Sequence, residues 1–143
     1  MSETTNPERL SGRCLCGAVT FTAIPKHSMH ACHCESCRRW TGGIYLGVEC
    51  GDSLEVADPG AVAVYDSSDW ATRSFCRTCG STLFWTLKAG GLTAVSAQAF
   101  DDPSAFPFDS EIFIDSKPAN YAFAGDRVRM TGADVFAQFA GGG

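Results

Sequence analysis

The stretch "FCRTCGSTLFW", residues 75–85, decides how the rest of the chain reads. It holds two cysteines at C-x-x-C spacing with a glycine directly after the second. Runs that favour extended backbone flank the pair: "TRSFC" at 72–76 and "STLFWT" at 81–86. β-Branched and aromatic runs interrupted by a short Gly-containing break read as two strands joined by a turn. Glycine adopts backbone angles denied to other residues, so one placed just after a cysteine pair lets the turn aim both sulfurs at one point. That is the geometry of a metal knuckle. The same device stands near the start of the chain, as "CLCG" at 14–17.

Outward from these turns the pattern is strand after short strand. "AVTFTA" (18–23), "IYLGVEC" (44–50), "SLEVA" (53–57), "AVAVYD" (61–66), "LTAVSA" (92–97) and "EIFID" (111–115) are each bounded by Gly, Pro, Asp or Ser. This spacing predicts a mainly β fold of antiparallel strands. Helix is scarce: one turn within "ESCRRWTGG" and a short terminal helix over "GADVFAQFAG", 132–141. A polar, proline-containing segment, 1–11, is expected to fray, a single domain to span 12–140, and 141–143 to form a flexible tail.

Composition narrows the function classes. A chain of 143 residues, 45% apolar and 19% charged, is an ordinary globular protein able to bury roughly two thirds of its surface. Its net charge is −5 and its 11 basic residues are scattered, which argues against a nucleic-acid footprint. No apolar run approaches the ~20 residues of a membrane span, and "MSETTNPERLSG" lacks the basic flank and apolar centre of a signal peptide. A cytoplasmic protein is expected. Thiols are kept reduced there, so clustered cysteines are more often metal ligands than disulfides.

Seven of the eight cysteines fall into three groups: Cys14 with Cys16; Cys32, Cys34 and Cys37; Cys76 with Cys79. A structural zinc takes four ligands, and a catalytic one takes three with a fourth position exchangeable. The one partition that splits no group is a closed site of Cys14, Cys16, Cys76 and Cys79, with Cys32, Cys34 and Cys37 left as an open, labile site. The closed site would clasp distant segments. The triad could instead be metal-free, redox-active, or closed by His33 or Cys50. An extended segment would point His33 away from its neighbours, and Cys50 fits a small buried apolar position. His27 and His30 read as surface or strand-end residues, and Trp40, Trp70 and Trp85 as core or pocket wall. Arg38 and Arg39 directly follow the triad and are expected to bind an anionic substrate beside it.

Three blocks, "GRCLCGAVTF", "CHCESCRRWTGG" and "FCRTCGSTLFW", in this order and spacing resemble the glutathione-dependent formaldehyde-activating enzyme family, which includes centromere protein V. The resemblance runs from about Gly12 to about Tyr121. It implies a β-tent fold of layered antiparallel sheets, a closed zinc on the C-x-C and C-x-x-C pairs, and a second, labile zinc on the triad. It also implies a carbon–sulfur lyase or synthase that joins glutathione to formaldehyde as S-hydroxymethylglutathione. Two positions depart from the family pattern: Glu111 stands where a histidine is frequent, and "ANY" at 119–121 lacks a tryptophan. The expectation is therefore a zinc enzyme acting on a small thiol adduct, with no nucleic-acid or membrane partner. The alternatives are a non-catalytic zinc-stapled binding module and a thiol redox sensor.

Overall fold

The computed structural model describes residues 8–141. Residues 1–7 of the segment expected to fray, and residues 142 and 143 of the expected tail, lie outside it. Among these residues eleven strands form two sheets. They are β1 (Leu10–Arg13), β2 (Thr20–Ala23), β3 (Met29–Cys32), β4 (Tyr45–Glu49), β5 (Glu55–Val56), β6 (Val62–Asp66), β7 (Ala71–Cys76), β8 (Thr82–Leu87), β9 (Thr93–Ser96), β10 (Phe108–Ile112) and β11 (Val128–Met130). The small sheet runs β1-β2-β5 and the large one β11-β10-β3-β4-β9-β8-β7-β6. Two helices are present among the described residues, α1 (Glu35–Thr41) and α2 (Gly132–Gly141), both where the sequence placed them.

The mainly β expectation holds, with one correction to its antiparallel layering. β10 pairs in parallel with both β3 and β11. Parallel neighbours need long crossovers rather than hairpins. The chain supplies them: most of the domain separates β3 from β10, and residues 113–127 separate β10 from β11. The stretch expected as strand over 111–115 stops at Ile112, because Phe113 takes φ 55 and a 3₁₀ turn follows over Ile114–Ser116.

Three strands escaped the sequence reading. β1 pairs Leu10 and Ser11, expected to fray, with Ala23 and Thr22. β3, "MHAC", has little intrinsic strand preference and is extended because β4 and β10 pair with it on both sides. β11 is a three-residue edge strand.

The two sheets share a core. Phe21 of β2 meets Phe84 of β8 edge-on at 5.4 Å and Phe100 at 5.3 Å, and Phe100 meets Phe106 at 5.0 Å. Each such buried ring contributes roughly 2–3 kcal/mol by removal from water. Gly12 sits against this cluster so closely that a Cβ there would lie 2.4 Å from the Ala99 carbonyl oxygen and 2.5 Å from the Phe21 ring. A side chain at that position would push the sheets apart.

Candidate metal centres and the adjoining cavity

The two cysteine knuckles converge. Cys14 and Cys16 lie on the turn from β1 to β2, Cys76 ends β7, and Cys79 follows in the turn to β8. Gly17 and Gly80 close these turns at φ 84 and 79, the left-handed region that the sequence reserved for glycine. All four sulfurs lie within 4.8 Å of one another. The Cys14–Cys16 and Cys16–Cys76 sulfur separations are 3.7 and 3.8 Å. Tetrahedral zinc with Zn–S bonds of about 2.3 Å puts its sulfurs about 3.8 Å apart, so the donor set fits that ion. Backbone N–H groups face the sulfurs: Val19 donates to Cys14 at 3.3 Å, and Thr78 and Cys79 both donate to Cys76 at 3.4 Å. Hydrogen bonding from Ser81 draws the Cys79 thiol down to about 5. Amide donors of this kind favour the thiolate form that a metal needs.

The second cluster forms where β3 hands over to α1. Cys32 ends the strand, Cys34 caps the helix with its sulfur accepting from the Cys37 N–H at 3.3 Å, and Cys37 lies one turn in. The helix ends at Gly42, whose N–H returns to the Arg38 carbonyl at 2.9 Å. The three sulfurs lie within 4.8 Å of one another. Contacts with Cys32 and then Cys37 pull the Cys34 thiol down, helped by the charge of Arg73. Hydrogen bonding with Cys34 and Cys37, followed by burial, pushes Cys32 up. Cys32 lowers Cys37, but Cys34 and burial outweigh it and leave that thiol at about 11. A bound dication would allow all three to be thiolates.

His33 points away from the sulfurs and is fully buried. Its Nε2 lies 2.7 Å from Glu111 Oε1, and its Nδ1 lies 2.8 Å from the Tyr121 hydroxyl. Its N–H donates to the Ile112 carbonyl at 3.1 Å and its carbonyl accepts from Arg38 Nε at 3.0 Å. Glu111 Oε2 in turn accepts from Arg127 at 2.7 Å and Arg129 at 3.1 Å. The residue between two of the triad cysteines is held at every polar atom. Glu111, given no role by sequence, anchors that hold. Burial pushes its carboxyl up, but hydrogen bonds from Arg127 and His33 and the charge of Arg129 keep it below the usual value. Cys50 belongs to neither cluster; it is buried, and burial and the Glu49 charge push its thiol up to about 12.

Cys32, Cys34 and Cys37 line a cavity of about 510 Å³ walled by Trp70, Trp85 and Phe113. Neither arginine expected beside the ligand lines it. Arg38 turns back to the His33 carbonyl, and Arg39 pairs with Glu35 at 2.9 Å on the surface. The guanidinium at the triad is Arg73, from β7. It is 7% exposed, donates to Cys37 Sγ at 3.4 Å and to Ser67 Oγ at 2.8 Å, and lies 5.0 Å over the Trp40 ring. A signal for it stood in the sequence, because an arginine inside "TRSFC" is flanked by strand residues, and buried arginines require partners. His30, expected at the surface or a strand end, instead lies within β3 and lines the cavity.

These features define a class: β-sheet proteins that clasp two sheets with four cysteines and open three more onto a cavity. The chain belongs to the glutathione-dependent formaldehyde-activating enzyme family, whose pattern it matches over residues 9–116. It is similar to a Schizosaccharomyces pombe protein named as an uncharacterized lyase, with 33% identity over 126 residues that cover 87% of this chain and 92% of the relative. The fold is shared with a Rhodobacter sphaeroides protein of known crystal structure. The TM-score is 0.56 and the identity 24%, over 64% of this chain and 88% of the other. Among the described residues no helix is long and apolar enough to cross a membrane.

Proposed function

We propose that the protein is a zinc-dependent carbon–sulfur lyase or synthase acting on a thiol adduct in the cytoplasm, with S-hydroxymethylglutathione, formed from glutathione and formaldehyde, as the reference case. Family membership and the lyase name of the yeast relative support the reaction class. The observation that carries the reading is the contrast between the clusters. Four sulfurs complete a tetrahedron, whereas three stand at a cavity with a position to spare.

A zinc ion held by Cys32, Cys34 and Cys37 would supply an exchangeable position that binds the substrate sulfur and lowers its pKa. Arg73 offsets the negative charge of the thiolates and leaves the site able to accept another anionic sulfur. The His33–Glu111 network fixes the cysteine-bearing segment, so the three sulfurs keep their geometry when substrate exchanges. The cavity walls hold the carbonyl partner against the sulfur, which makes positioning the main contribution.

Cys34→Ser tests the assignment. The variant should fold, keep about one zinc per chain, and lose both the second metal and the adduct-forming activity. Collapse of the fold would make the triad structural. Full activity without the second zinc would move the chemistry elsewhere, and an oxidation-linked disulfide in the active wild type would favour the redox sensor.

A further inference from the structure

The cavity in front of the triad carries a wall that formaldehyde would leave unused. Trp70 meets Trp85 at 5.7 Å and Phe136 at 5.9 Å, and Phe136 meets Phe113 at 5.8 Å. The four rings form a connected edge-to-face series, and all four line the same cavity as Cys32, Cys34 and Cys37. Its two middle rings stay accessible: Trp70 is 41% and Phe136 52% exposed. Large rings left open beside a cavity mark a surface that a ligand covers. Phe113 is held at φ 55, which a bulky residue adopts only when its surroundings enforce it. Gly132 leaves the room for its ring, since a Cβ there would stand 3.0 Å from it. The wall is completed by Val135 and Phe136 of α2, beyond the stretch shared with the family, which ends at residue 116. Cationic partners for a purely polar ligand are few. Among the described residues lining the cavity, the lysine and arginine side chains are Lys26, paired with Glu49 at 3.2 Å, and Arg73 at the triad.

We infer that the adduct handled at this site carries an aryl ring, or an apolar group of that size, on its carbonyl or its thiol half, and that the wall of Trp70, Trp85, Phe113 and Phe136 selects for it. The inference rests on the reading of the triad as a thiol-adduct site. A one-carbon aldehyde fills little of about 510 Å³. An aryl group one or two bonds from the sulfur would meet rings already set edge-to-face, a contact that contributes beyond simple burial. The reaction needs no oxidant. The thiol sulfur forms a bond to the carbonyl carbon, the C=O π pair moves to oxygen, and the thiol proton ends on that oxygen. In reverse the C–S bond breaks and its electron pair returns to sulfur, the O–H pair re-forms the C=O bond, and the hydroxyl proton ends on the sulfur.

The test uses the full chain loaded with two zinc ions, titrated by calorimetry with tryptophan emission followed in parallel. Three mixtures serve as probes: glutathione with formaldehyde, glutathione with benzaldehyde, and benzyl mercaptan with formaldehyde. At least one aryl mixture should bind about tenfold more tightly than the first and quench emission, and the tighter of the two assigns the ring to the carbonyl or the thiol half. Phe136→Ala should bring the ratio of aryl to non-aryl affinity toward one, Trp70→Leu should do the same, and Phe136→Trp should retain it. Equal affinity for all three mixtures, or an aryl preference untouched by both wall variants, overturns the inference and leaves the thiol-adduct reading standing. If wild-type protein with both zinc ions binds neither the mixtures nor glutathione alone, that reading falls, and the inference with it.

Discussion

Arg73 is the side chain on which the electrostatics of the triad turn. It is nearly buried, sits over Trp40 and donates to Cys37, so an anionic sulfur arriving at the cavity meets its charge with little solvent screening. Arg73→Met should weaken binding of thiol ligands about tenfold, in line with the loss of one hydrogen bond to a charged group. Arg38→Ala with Arg39→Ala should do less, since Arg39 is spent on an exposed pair with Glu35 and Arg38 on a carbonyl. Calorimetric titration with glutathione ranks the two, and the reverse order would restore Arg38 and Arg39 as the substrate contacts. The cysteine ligand sets were legible in sequence because metal geometry fixes their local spacing. For Arg73 the strand position carried a signal, but its partner did not, because Cys37 lies 36 positions away in the chain.

At the scale of elements, β10 does what a hairpin strand could not. Its parallel insertion between β3 and β11 puts Glu111 beside the cysteine-bearing segment and brings Arg127 and Arg129 to the same carboxylate. Glu111→Gln leaves the buried Arg127 guanidinium without its charge partner, while Arg129 keeps Asp126, and should destabilise the protein by about 3 kcal/mol. The sign with pH follows from the shift. The native carboxyl is held below its usual value of 4.5, so the stabilisation is complete above that value and is lost as pH falls through the native one. The gap in melting temperature between wild type and Glu111→Gln should therefore be constant at neutral pH and shrink in acid. The comparison cancels acid release of zinc, common to both proteins; a gap that widened on acidification would contradict the assignment. Sequence could not place Glu111, because local pattern carries no information about a pairing made across most of the domain.

For the whole molecule the four-cysteine cluster is the clasp. It joins the β1–β2 turn of the small sheet to the β7–β8 turn of the large one, sulfur to sulfur over 60 positions. Zinc bound there would contribute on the order of 10 kcal/mol coupled to folding, comparable with the net stability of a domain. Cys76→Ser should therefore leave the protein insoluble or without a cooperative melt, whereas Cys34→Ser keeps both. Circular dichroism melts of the two variants side by side settle whether the clusters differ in kind, and equal melts would mean that they do not. The sequence by itself determined the strands rich in β-branched and aromatic residues, the two glycine-closed knuckles and the division of seven cysteines into four and three. These follow from short-range constraints: pleat alternation, backbone freedom at glycine and the fixed valence of a tetrahedral ion. Only the tertiary structure decided the parallel placement of β10, the burial of Arg73 against Cys37, the His33–Glu111 hold and the aromatic wall completed by α2. Each of these joins residues far apart in the chain, and such contacts are chosen by how the whole core packs rather than by any local preference.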